Sequence, residues 1–257
     1  MNIDRKCPLP EGSECDVRKQ VAQLEEDLEQ FVYLASHDLR EPLMGLAGFA
    51  TLLQRRCGDK LDEKGNHFLE QVIEGSKNLE NKLDALLTFS RAGKTTMGHF
   101  PLGSAIEEAR RSLAGRFAKT GATLKVADDL PVIQGDRSLI AQVFQNLLSN
   151  SIKYRSRERQ SEIQVDSVQH TGYCTVAVRD NGIGFDMRHK DRIFGVFQRL
   201  YTVEQYPGTG IGLAIAKRVI ERHGGCIWPE SRPDQGTVFY FNLPTTKEAH
   251  GSPNPTG

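Results

Sequence analysis

Several short stretches carry residue types that do chemistry. In "SHDLREPL" (36–43), His37 and Asp38 interrupt a run in which Phe31, Leu34, Ala35, Leu39, Leu43, Leu46 and Phe49 keep helical spacing, and Pro42 follows. In "QNLLSNSIKYR" (145–155), Asn146 and Asn150 stand four apart and share a helix face, with Lys153 on that face within a turn of Asn150. That set reads either as a solvated polar face or as a magnesium and phosphate site, with amide oxygen as a hard ligand and lysine as counter-charge. In "VRDNGIGFD" (178–186), an apolar strand ends at Asp180, followed by Gly182 and Gly184. Asp-Asn-Gly is a common turn. The same residues also suit a flat ligand, because glycine lets backbone approach closely and a terminal carboxylate accepts from an exocyclic amine. In "YPGTGIGL" (206–213), Gly208, Gly210 and Gly212 precede an apolar helix whose first N–H groups can cradle phosphate.

The elements that must hold these residues fall into two textures. Over 17–92 the pattern is helical. Val17, Val21, Leu24, Leu28, Phe31 and Ala35 make a heptad seam, which needs a partner helix. The polar "RCGDKLDEKG" breaks it, and Phe68, Val72, Leu79, Leu83 and Leu86 mark a second amphipathic helix. A lone antiparallel hairpin leaves apolar faces wet, so two copies forming a four-helix bundle, a homodimer, are expected. "SRAGKTTMGHFPLG" (90–103) reads as a linker, with 93–98 as its centre. From 99 to 246 helices (104–118, 136–154, 211–223) mix with strands ("ATLKVA", "PVIQ", "EIQVDSV", "YCTVAVRD") and a closing pair ("GCIWPES", "GTVFYFNLP"). The expected fold is two-domain: an all-α hairpin, then an α+β sandwich with helices on one face of an antiparallel or mixed sheet. The ends, Met1–Asp16 and Thr245–Gly257, read as frayed tails, with the second domain closing at 246.

Composition removes other classes. Lys plus Arg equal Asp plus Glu at 33 each, so no net charge draws the chain of 257 residues to nucleic acid or an anionic membrane. No apolar run approaches the roughly 20 residues of a membrane span. The five cysteines form no C-x-x-C pair and read as reduced cytoplasmic thiols. "AGKTT" (92–96) lacks the first glycine of a phosphate-binding P-loop and a preceding strand, and "GTGIGL" lacks a dinucleotide-binding unit around it.

Taken in order, these motifs resemble those of the histidine protein kinases of two-component signalling, over residues from about 17 to 243. "SHDLREPL" is similar to the phosphoacceptor box, "NLLSNSIKY" to the asparagine box, "DNGIGF" and "GTGIGL" to the two glycine boxes, and "IFGVFQRL" to the phenylalanine box. The wording of the first resembles the output kinases of bacterial phytochromes. The resemblance implies a dimerisation and phosphoacceptor bundle followed by an ATP-binding domain of the gyrase and chaperone type. It implies His37 as phosphoacceptor and Asp38 as the group that orients its ring. It implies Asn150 as the Mg²⁺ ligand, Asn146 beside it, and Lys153 and Tyr154 near the phosphates. Asp180 would take the adenine amine, and Arg199 the γ-phosphate. Gly182, Gly184, Gly208, Thr209, Gly210, Gly212 and Leu213 would shape the pocket and a lid. ATPases of this fold carry a glutamate base at the position of Asn146. An amide takes no proton, so direct ATP hydrolysis is expected to be slow. The implied cofactors are ATP and Mg²⁺. The implied partners are a response-regulator receiver domain, a second copy, and an upstream sensor. The readings set against this one are a nucleotide-binding dimeric scaffold and an ATP-hydrolysing chaperone-like machine.

Overall fold

The computed structural model describes residues 13–91, 97–202, 205–206 and 208–245. The chain divides into two compact units, Met1–Arg91 and Ala92–Gly257.

The first unit is a helical hairpin. Helix α1 spans Ser13–Cys57 and α2 spans Glu63–Arg91, joined by a single tight helical turn over Gly58–Lys60. Asp62 accepts from the Gly65 amide at 2.7 Å, which helps start α2. Helix α1 begins four residues before the expected boundary at 17. Pro42 lies inside α1, which continues on either side of it. Where the helices face each other, Ser36, Ala50, Ser76, Leu83 and Leu87 are buried. Leu24, Phe31, Leu46, Phe49 and Phe68 are exposed, so the hairpin leaves a long apolar surface uncovered. The seam residues Val17, Val21 and Leu28 lie outside the described side chains. Among the described residues, no helix is long and apolar enough to cross a membrane.

The second unit is a mixed sheet covered by helices. Its elements are β1 (Gly98–Pro101), α3 (Leu102–Ser112), α4 (Ala114–Thr120), β2 (Thr123–Val126), β3 (Val132–Gly135), α5 (Arg137–Lys153), β4 (Glu162–His170), β5 (Tyr173–Asp180), α6 (Gly212–Arg222), β6 (Ile227–Arg232) and β7 (Gly236–Pro244). Five strands run in the order β2-β4-β5-β7-β6; β2 lies parallel to β4 and the rest are antiparallel. Strand alternation sends Cys174, Val176 and Val178 of β5, with Phe239, Phe241 and Leu243 of β7, to one buried face. Helices α3, α5 and α6 supply the other half of the core through Leu102, Ile106, Phe144, Leu147, Val219 and Ile220, all nearly inaccessible. Phe144 and Phe241 meet edge to face with centroids 5.6 Å apart. Each such side chain contributes about 1.5–3 kcal/mol of burial, which fixes α5 against the sheet.

Three expectations are corrected. The linker read over 90–103 ends in a strand, since Gly98–Pro101 pair with Val132–Gly135 as a separate two-stranded sheet. The pairing buries Phe100 opposite Ile133, a contact no local pattern reveals. The helix read over 104–118 is two helices that meet at Leu113, where the backbone leaves helical geometry just before Gly115. Thr245, read as tail, bridges to Ile133 and donates to the Gly172 carbonyl at 3.1 Å. The P-loop-like "AGKTT" and the tails over 1–12 and 246–257 lie outside the described residues.

Candidate nucleotide site

Helix α5 is held at its start by Asp136, whose carboxylate accepts from the Ser138 and Leu139 amides at 2.9 and 3.2 Å. Its apolar face is buried, so spacing alone turns Asn146, Ser149, Asn150 and Lys153 to the opposite side as one polar stripe. Strand β5 ends at Asp180, directly opposite Thr237 of β7 in the ladder. The Asp180 carboxylate is fixed on both oxygens. Oδ2 accepts from Ser151 Oγ at 3.1 Å, and Oδ1 accepts from the Gly182 and Thr237 amides at 2.9 and 3.3 Å. Burial raises the Asp180 pKa, and these donors oppose that rise.

The glycines are required by space. A Cβ on Gly182 would stand 2.5 Å from the Tyr154 carbonyl oxygen and 2.8 Å from Asp180 Oδ1. Gly184 adopts φ 61° and lies against the Arg232 carbonyl. Arg159 ties this turn down, donating to the carbonyls of Asn181, Gly182 and Asp234.

Asn150, Tyr154, Asp180, Gly184, Arg199 and Leu213 line one pocket together with Ile193, Tyr201, Thr237 and Phe239. The phenylalanine-box segment is partly packed: Ile193 is buried, and Phe194 meets Phe239 edge to face, while Phe197 is exposed at φ 60°. Tyr201 donates to the Gly184 carbonyl at 3.2 Å, and its ring lies near those of Tyr154 and Tyr206. Arg199 donates to the carbonyls of Gly208, Thr202 and Tyr206, which gathers the loop ahead of α6.

Next to the pocket, Lys153 meets Gly208 so closely that a Cβ there would sit 2.9 Å from Nζ. Gly212 opens α6 against Asn146, whose Oδ1 would lie 3.1 Å from an added Cβ. Thr209 forms no hydrogen bond among the described residues. Asn146 Nδ2 and Arg199 Nε are buried without partners. Burial, with Arg199 and Arg116 nearby, pulls the Lys153 pKa down to about 8. An unpartnered amide and a group of cations without carboxylates suit a polyanion carrying a hard metal ion. No cluster of three or more His, Cys, Asp or Glu that could hold a metal occurs among the described residues. A Mg²⁺ held here would therefore use one or two amide oxygens, with phosphate oxygens and water completing its shell.

His37 and Asp38 belong to the hairpin unit. The His37 Nδ1 lies 3.3 Å from Asp38 Oδ1, and the side chains are 67% and 80% exposed. An open imidazole next to a carboxylate is free to meet a second reactant.

Sequence reasoning missed Ser151, Thr237 and Arg159. Ser151 stands inside a quoted motif, between Asn150 and Lys153, but its residue type and spacing gave it no role of its own. Thr237 read only as a strand residue, since its place opposite Asp180 depends on register. Arg159 has no local signal.

Comparison with known proteins gives the class first. A model of the histidine kinase-, DNA gyrase B- and HSP90-like ATPases matches residues 135–247, and a model of the His Kinase A phospho-acceptor domain matches residues 27–95. Cyanobacterial phytochrome A of Nostoc sp. is 39% identical over 234 residues, covering 88% of this chain and 30% of the relative. Phytochrome-like protein Cph1 of Synechocystis sp. is 36% identical over 220 residues, covering 85% and 29%. The crystal structure of full-length ShkA in complex with AMPPNP shares the fold, with TM-score 0.63 at 24% identity, covering 83% of this chain and 45% of that one. The chain belongs to the histidine kinases of two-component signalling, as its motif order implied. It spans about a third of the length of the phytochrome relatives it matches.

Proposed function

We propose that this chain is an ATP-dependent protein histidine kinase that phosphorylates His37 and passes the phosphoryl group to an aspartate of a response-regulator receiver domain in the cytoplasm. The observation that carries the reading is Asp180. Its carboxylate is held by three donors at the wall of an apolar pocket, beside a stripe of amides and cations on α5. A fixed acceptor in an apolar slot suits an adenine amine, and the stripe suits the phosphates and metal.

The residues then take named roles. Asp180 binds the adenine amine, backed by Thr237 and Ser151. Ile193, Leu213 and Phe239 flank the ring, and Tyr154, under the Lys153 ammonium, stands near the phosphates. Asn150, with Asn146 beside it, would hold Mg²⁺, which supplies charge neutralisation of the phosphates when bound. Lys153, Arg199 and the loop from Gly208 through Thr209 and Gly210 to Gly212 receive the phosphate tail. At His37 the neutral ring attacks with the Nε2 lone pair. An N–P bond forms, the bond from the γ-phosphorus to the bridging oxygen breaks, and ADP leaves with those electrons. The Nδ1 proton faces Asp38, whose charge offsets the imidazolium that develops. Asn146 cannot accept a proton from water, so the phosphoryl group is kept for His37.

The exposed apolar surface of the hairpin supports a homodimer, in which a second hairpin covers Phe31, Phe49 and Phe68. An upstream sensor acting through α1 fits the same arrangement. Incubation with radiolabelled ATP and Mg²⁺ tests the reading. The expected label is acid-labile, alkali-stable and absent from His37→Ala; an unlabelled wild-type chain overturns it.

A further inference from the structure

Helix α4 brings a cation to the phosphate side of α5. Arg116 donates through Nη1 to Ser149 Oγ at 2.5 Å. Ser149 lies one residue before Asn150 and one turn before Lys153, on the same stripe. Arg116 is close enough to Lys153 for its charge to help depress the lysine, as Arg199 does from the other side. Three cations from three segments thus converge: Arg116 from α4, Lys153 from α5 and Arg199 from the loop ahead of α6. Among the described residues, none of the three is paired with a carboxylate. The buried Asn146 amide on the same stripe is also without a partner.

Like charges gathered without counter-charge raise the energy of the free protein, and an anion relieves that cost. Lys153 and Arg199 already have a place in the nucleotide site. Arg116 does not, yet its guanidinium gives only one bond to Ser149 and is otherwise exposed. A guanidinium carries five N–H donors in a fixed fork that matches phosphate oxygens.

We propose that Arg116 is a further phosphate-binding residue of the nucleotide site, positioned by Ser149. The inference rests on the nucleotide-binding reading above and concerns the phosphate tail alone. Asp180 reads the base from the β5 end; Arg116 adds charge at the flank of α5 where Lys153 stands. The hydroxyl of Ser149 holds the guanidinium beside the stripe, so loss of that hydroxyl lets Arg116 swing into solvent.

The test is calorimetric titration of the whole chain with ATP in magnesium buffer, and with adenosine, which has no phosphate. Arg116→Ala is expected to weaken ATP about five- to tenfold while adenosine binding stays within about twofold. Arg116→Lys should recover part of the ATP affinity, since charge returns without the fork. Ser149→Ala should fall between wild type and Arg116→Ala for ATP and leave adenosine unchanged. The ATP affinity of Arg116→Ala should also depend less steeply on salt than that of wild type. Unchanged ATP affinity in Arg116→Ala overturns the proposal, as does equal weakening of ATP and adenosine. Asp180→Asn is the control that separates the two claims. If wild type binds ATP and Asp180→Asn weakens it while Arg116→Ala does not, the role of Arg116 alone fails. A wild-type chain that binds no nucleotide removes both readings.

Discussion

The ring of His223 accepts a hydrogen bond at Nε2 from the Asp136 amide, 2.9 Å away, and so ties the end of α6 to the start of α5. Because Nε2 accepts, the proton sits on Nδ1, which donates to the Val219 carbonyl at 2.7 Å. The ring is buried, and a Cβ on Gly135 would stand 2.7 Å from its Cδ2. The two helices joined here carry both the amide stripe and the glycine-rich loop. Replacing His223 with Ala leaves a buried amide without a partner and opens a cavity, at a cost of about 2–4 kcal/mol. Urea unfolding followed by fluorescence checks this. Trp228, the sole tryptophan, stacks on Tyr240 in the same unit and reports its unfolding. An unmoved midpoint contradicts the role.

His37→Ala should abolish acid-labile labelling and leave ATP affinity within about twofold, because His37 lies on α1 and the pocket residues lie in the other unit. Filter binding and phosphorimaging of the same preparations compare the two. Full labelling of the variant ends the assignment of His37.

Asp180→Asn should weaken ATP by roughly tenfold or more, since a hydrogen bond to a charged group contributes about 1.5–3 kcal/mol and the amide carries no charge. GTP should be a poor donor to wild type, as its O6 acceptor would face the carboxylate. Competition titrations with ATP and GTP measure both effects. Equal use of the two nucleotides rules the adenine role out.

Lys153 sets a pH dependence. Its pKa is lowered to about 8 from an ordinary 10.5, first by burial and then by Arg199 and Arg116. Below pH 8 the ammonium is charged and attracts phosphate, so ATP affinity should fall as pH rises through about 8. Stability moves the other way. Between about 8 and 10.5 the unfolded chain binds the proton that the folded chain has lost, so stability rises with pH across that window. Lys153→Met should remove the affinity step and flatten the stability slope. An affinity step that persists in Lys153→Met belongs to another group.

Phe68 is 65% exposed on α2, and Phe31 and Phe49 are 68% and 70% exposed on α1. In the proposed dimer these rings are covered. A charge among them resists burial, so Phe68→Glu should shift the chain from dimer to monomer with its helix content kept. Light scattering and circular dichroism read the two quantities. A wild-type monomer, or a variant that remains fully dimeric, refutes this use of the hairpin.

Local periodicity was enough to place the helical hairpin, α5, α6 and most strands of the sheet. Apolar residues repeating every 3.6 or two positions name an element and its buried face without reference to distant residues. The motif residues Asn146, Asn150, Lys153, Asp180 and the loop glycines were legible for the same reason, since each lies at a spacing that its own element defines. Only the tertiary structure decided what required pairing between remote segments. The β1–β3 pair, the parallel placement of β2 on β4, and the insertion of β7 between β5 and β6 are of this kind. Strand register placed Thr237 opposite Asp180, and packing of α5 on the sheet brought Ser151 to the same carboxylate. The anchors Arg159 and His223 reach backbone groups 22 to 87 residues away in the chain. No sequence periodicity encodes such bonds, because their partners are main-chain atoms that every residue carries. The helices and the polar residues they carry therefore follow from side-chain pattern, while the pocket of the second unit follows from long-range backbone pairing.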